Sequence, residues 1–109
     1  MDLVNELFSL QRQLIASIGQ LKKNGSAFAE AERDYKVALN KTVLKLRSDG
    51  MAATLIALVV YGEKEVAEYR FKRDVAKTIY ETNQEHINAT KLNIRIIESQ
   101  ISREWGNSK

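Results

Sequence analysis

The stretch GMAATLIALVVYG, residues 50–62, lies almost halfway along a 109-residue chain and decides how the rest is read. Between its two glycines stand eleven residues, of which only Thr54 is polar. A spanning helix needs about 20 apolar residues, and this run is shorter and closely flanked by charge, so it is not read as a membrane segment. As a short helix over 52–61, at 100° per residue, it sorts into two faces. Ala52, Leu55, Ile56, Val59 and Val60 form the strongly apolar one, expected to pack near Val43, Leu46, Val66 and Phe71. Ala53, Thr54, Ala57, Leu58 and Tyr61 form the other.

Outward from this bridge the pattern is helical on both sides. Towards the N-terminus one row, seven apart, reads Leu7, Leu14, Leu21, Phe28, Tyr35, Thr42, with a companion row Gln11, Ile18, Gly25, Glu32, Leu39, Leu46. A heptad seam sustained over six repeats indicates one helix, about 2–48. Gly19 and Asn24-Gly25 weaken it, but the seam keeps its register across them, so continuity is expected. Ser48-Asp49-Gly50 supplies a stop, with glycine free to take a left-handed conformation.

Towards the C-terminus the rows are Val66, Arg73, Tyr80, Ile87, Ile94, Ile101 and Tyr69, Ala76, Asn83, Thr90, Ile97, a second helix of about 63–104. Glu63-Lys64-Glu65 places acidic residues where a helix N-terminus favours them. Two helices of nearly equal length joined by a short break fold back economically as an antiparallel hairpin. Symmetric folding about the bridge sets Leu46 against Val66, Leu39 against Arg73, Ile18 against Ile94 and Leu7 against Trp105, with Glu32 in reach of Lys77.

The expected architecture is therefore one all-α domain spanning 1–109, a long coiled-coil-like hairpin with a bridging helix at its tip. A bare two-helix hairpin cannot enclose a core, because each helix hides only one stripe. Self-association follows as an expectation, most simply a dimer forming a four-helix bundle. The residues assigned to the seam and the oligomer contact are Leu7, Leu14, Ile18, Leu21, Phe28, Leu39, Tyr80, Ile87, Ile94, Ile101 and Trp105.

Composition supports few, long helices: there is no proline, and glycine occurs only five times. The absence of cysteine excludes disulfides and thiolate chemistry and fits a cytosolic setting. The acidic start, MDLVNELF, does not read as a signal peptide. His86 is the sole histidine, with no companion for a metal. Gly62-Glu-Lys lacks the remainder of a phosphate-binding loop. Glu32-Lys36, Glu68-Lys72 and Asp74-Lys77 stand at helical pair spacing, so the carboxylates read as surface support. No catalytic residue, cofactor, metal or small-molecule substrate is assigned, and the chain is not read as an enzyme.

Net charge is +3, and residues 33–77 hold ten basic and six acidic side chains. Tyr69-Arg-Phe-Lys-Arg73 interleaves aromatic and basic residues, a pattern that can track phosphates when its side chains are exposed. The candidate binding surface is Leu58 and Tyr61 with Lys41, Lys45, Arg47, Lys64, Arg70, Lys72 and Arg73. The alternative for this segment is a solvated helical surface with Tyr69 and Phe71 buried.

The segments AEAERDYKVAL (29–39), LRSDGM (46–51) and GEKEVAEYRFKRDVA (62–76), about a third of the chain, resemble small helical proteins of unassigned function encoded by temperate phages of Gram-positive bacteria. Ala52 stands where that pattern carries proline. The resemblance implies a cytoplasmic role near DNA recombination or replication, with a protein partner or nucleic acid at the tip. Two alternatives accompany it: an inhibitor docking onto a host nuclease or anti-phage complex, CRISPR-type included, and a purely structural oligomerisation module.

Overall fold

The computed structural model describes residues 2–107 and is all-α. Helix α1 spans Leu3–Ser48, α2 spans Ala53–Val59 and continues into a 3-10 turn at Val60–Gly62, and α3 spans Lys64–Asn107. The two long helices pack against each other as a hairpin with the short helix between them. Helix α1 is unbroken through Asn24-Gly25, and α3 continues past Glu104 to Asn107.

Helix α1 ends in a glycine-dependent motif. Gly50 has φ +89°, its N–H donates to the Arg47 carbonyl at 3.0 Å, and the Met51 N–H donates to the Leu46 carbonyl at 3.0 Å. Those two bonds are a Schellman pair, and the accompanying apolar contact is present because Met51 packs on the cluster that contains Leu46. Gly62 behaves otherwise: its φ is not positive, and a methyl group added there would meet nothing within 4 Å. The chain reverses at one glycine, not at both.

Two compact units divide the chain: Asn24–Ile79, and Met1–Lys23 with Tyr80–Lys109. The first contains the main core. Tyr35, Leu46, Ile56, Val60 and Val66 are buried together, with Leu39, Val43, Met51 and Tyr69 packed on them, and Val66 is fully buried. The deep face of the bridge is narrower than its sequence suggests. Ile56 and Val60 are buried, but Ala52, Leu55 and Val59 are exposed, and so is Phe71. A helix of seven residues makes only two turns, and the 3-10 turn that follows rotates Val60 inward at a tighter pitch.

In the same unit Arg73 occupies the seam. Its guanidinium lies 4.6 Å from the centre of the Tyr35 ring, 3.6 Å from Glu32 and 2.8 Å from Asp74. Glu32 therefore pairs with Arg73 and not Lys77, Arg73 stands over the Tyr35 ring, and Asp74 pairs with its neighbour Arg73 instead of Lys77. Partial burial alone would lower the Arg73 pKa. The hydrogen bond that Arg73 donates to Asp74, with the charges of Asp74 and Glu32, outweighs it and raises the pKa.

The second unit has a polar seam. Ile87 and Ile97 are its buried apolar side chains among the described residues, and Ser17 and Thr90 are buried beside them. The Asn83 amide donates to the Ser17 backbone carbonyl at 3.1 Å, and the Thr90 hydroxyl donates to the His86 carbonyl at 2.8 Å. Ser17 next to Asn83 overturns the pairings of Ile18 with Ile94 and Leu7 with Trp105. Counting from that contact, Leu3 stands about level with Ile97. Among the described residues the last turns of α3 then extend beyond the Leu3 end of α1, and Trp105 is 69% exposed instead of stapling the open end.

The two rows of α3 are inside as read from sequence: Val66, Arg73, Tyr80, Ile87, Ile94 and Ile101, and Tyr69, Ala76, Asn83, Thr90 and Ile97, are all buried or half-buried. In α1 the first row, Leu7 to Thr42, holds too. The companion row holds from Gly25 through Glu32, Leu39 and Leu46 but not at its start, where Gln11 and Ile18 are exposed. A row one residue earlier, Leu10, Ser17, Asn24, Ala31 and Ala38, is buried or half-buried as well. Small and polar residues let the helices approach closely, which apolar counting does not detect.

Candidate interaction surface

The tip presents the least polar segment of the chain to solvent. Schellman capping turns the chain out of α1, and Ala52, extended at φ −66° and ψ 145°, starts α2 through its carbonyl, which accepts from the N–H groups of Leu55 and Ile56. Ile56 and Val60 then fix α2 to the core. The opposite side is committed outward: Leu58 is 80% exposed, Tyr61 47%, and Leu55 46%. Sequence reasoning placed Leu58 and Tyr61 on this surface and missed Leu55. The missed signal was length, since two turns cannot bury a face of five residues.

The basic candidates fall into two groups. Among the described residues no carboxylate pairs with Lys41, Lys45, Arg47 or Lys64, and all four are exposed. The others are held. The Arg70 guanidinium sits 5.4 Å from the centre of the Tyr61 ring, and the Lys72 ammonium lies 5.2 Å from the Tyr69 ring and 4.0 Å from Glu68. Stacking by Arg70 covers one face of Tyr61 and presents a flat, amphipathic edge. Arg73 is turned into the seam and is not part of the outer surface.

Acidic groups stand among these cations. An open groove at the base of the bridge is lined by Thr42, Lys45 and Leu46 from α1, by Asp49 and by Glu63, Lys64 and Glu65. A second groove brings Asp34 and Lys41 near Glu65 and Tyr69. Counted over Asn24–Ile79, ten basic side chains meet eight acidic ones, a net of +2. Glu30 and Glu32, outside the window that gave +4, pair with Arg33 and Arg73. The tip is thus an apolar ridge within a mixed-charge rim.

Elsewhere the chemistry is sparse. His86 is exposed, and no three His, Asp or Glu side chains among the described residues come together as a metal site requires. No helix among them is long and apolar enough to cross a membrane. Glu32-Lys36 and Glu68-Lys72 are paired across one helical turn at 3.8 and 4.0 Å. The class that fold and surface define is an all-α helical hairpin with an exposed apolar tip. Set against family models, curated proteins and solved structures, the chain matches none of them.

Proposed function

We propose that this is a non-catalytic helical binding protein of phage type, acting in the cytoplasm near DNA recombination or replication, whose tip docks onto a DNA-processing protein. One observation carries the reading: Leu58 is 80% exposed on a bridge that two other apolar residues, Ile56 and Val60, anchor in the core. Isolated exposed leucines are ordinary, but Leu55, Leu58 and Tyr61 form a cluster on a fixed element, the arrangement of an anchor for a partner's pocket. The rim of both charges suits a protein surface better than a phosphate backbone, which attracts cations alone.

Direct nucleic-acid binding is the second reading, supported by the four unpaired cations Lys41, Lys45, Arg47 and Lys64. An inhibitor of a host nuclease or defence complex would use the same ridge with a different partner. Leu58→Lys separates a working surface from a structural one. Folding and helix content should stay as in the parent, while recovery of a DNA-processing partner from bacterial lysate is lost. Retained partner recovery in Leu58→Lys would exclude the ridge. A salt-sensitive shift of labelled DNA, lost in Lys45→Glu/Arg47→Glu, would move the assignment to nucleic acid.

A further inference from the structure

We infer that α1 carries a separate self-association face, in the unit that lacks the tip, and that its occupant is a second copy of this chain arranged antiparallel about a two-fold axis. Val4, Phe8, Ile15 and Ile18 are all exposed, Ile15 to 71%. At 100° per residue they fall within about 80° of one another, beside the half-buried row of Leu7 and Leu14. Residues 7–21 contain a single charge, Arg12. A fifteen-residue helical segment with one charge and an uncovered apolar stripe is not a solvated surface.

The order of the stripe selects the occupant. Val4 and Phe8 stand on one side of Gln11, Ile15 and Ile18 on the other, so the stripe is palindromic to within one residue, Val4 and Ile18 being centred on residue 11 and Phe8 and Ile15 midway between 11 and 12. A two-fold axis near Gln11 sets Phe8 against Ile15 of the other copy, and Val4 against Ile18, at both ends of one contact, the self-complementarity that an isologous interface requires. The Gln11 amides can bond each other at the axis, while the Arg12 head groups extend past the rim into water. An unrelated partner has no need of that symmetry.

Surface area agrees in magnitude. The chain exposes 8035 Å², whereas a compact folded monomer of its mass exposes about 6,100 Å². The excess, about 1,900 Å², is more than the roughly 800 Å² per partner of a standard interface. The stripe is also where the fold needs help, because in its unit Ile87 and Ile97 are the buried apolar side chains among the described residues.

Sedimentation equilibrium of the full chain at about 50 micromolar tests this. The expected mass is twice 12.4 kDa, and Phe8→Lys/Ile15→Lys should weaken association by about tenfold or more with helix content unchanged, since both side chains are exposed. Register is tested separately. Phe8→Glu and Ile15→Lys chains should each associate poorly alone and recover when mixed, because the mixed pair has one Glu–Lys and one Phe–Ile contact. As the chain has no cysteine, Gln11→Cys should oxidise to a linked dimer while Glu85→Cys does not. A wild-type monomer, a dimer indifferent to Phe8→Lys/Ile15→Lys, or failure of the mixed chains to recover would each overturn the inference.

Discussion

The two units of this molecule are built from the same two helices and solve the same problem differently. In Asn24–Ile79 the bridge supplies a third element, so Tyr35, Leu46, Ile56, Val60 and Val66 close into a cluster. In Met1–Lys23 with Tyr80–Lys109 the described residues form no third element, and Ile87 and Ile97 share the interior with Ser17, Thr90 and the Asn83 amide. Two helical stripes facing each other leave their flanks in water, whatever their length. A core appears where a third element crosses them, and the inferred second copy would provide one where the chain does not.

The largest effect expected from this contrast is at Ile56. Ile56→Ala removes the side chain that joins the bridge to the helices and should destabilise by about 2–5 kcal/mol in urea unfolding. Ile97→Ala, in the thinner interior, should fall at the low end of that range because fewer neighbours are left around the void. Equal losses at the two sites would erase the distinction between the units.

Next in size are the two glycines of the bridge. Gly50→Ala forces an L side chain to φ +89° and should cost about 1–2 kcal/mol. Gly62→Ala has open space and no positive φ, and should be neutral or stabilising by about 0.5 kcal/mol. A large cost at Gly62 would mean that the chain reverses at both glycines after all.

Smaller still is a gain at Ala52, where φ is −66°, the value proline imposes. Among the described backbone contacts its N–H donates to nothing, so Ala52→Pro should raise stability by about 0.4–1 kcal/mol in the same urea titration. Smallest is Trp105→Ala, expected to change stability by less than about 0.5 kcal/mol because the ring is largely in water. A substantial loss there would restore the open-end staple that the register excludes.

Much of this fold was legible in sequence because periodicity reports which face of a helix is apolar. Both rows of α3, one row of α1 and the other from Gly25 onward are inside as read, and Gly50 stops α1 by the route its conformational freedom suggests. Legibility ended at a further inward row of α1, made of Ser17, Asn24, Ala31 and Ala38. Apolar counting prefers Ile18 to Ser17, yet a small side chain is what lets Asn83 reach the backbone. The pairings failed for a related reason: symmetric folding about the bridge assumes that α1 and α3 leave the tip level, while Arg73 and Asn83 choose partners by hydrogen-bonding geometry. Leu58 and Tyr61 are exposed, as helical phase placed them. Arg73 was misplaced because a charged residue at a seam position looks from sequence like any other tip cation.

Hydrogen exchange followed as the protein is diluted tests the central claim most directly. If the tip core stands alone and the other unit leans on a second copy, amides in 3–23 and 80–104 should exchange faster as concentration falls through the dimer range. Those in 35–46 and 56–69 should keep their protection. Exchange independent of concentration throughout, or protection lost first in the tip, would contradict it.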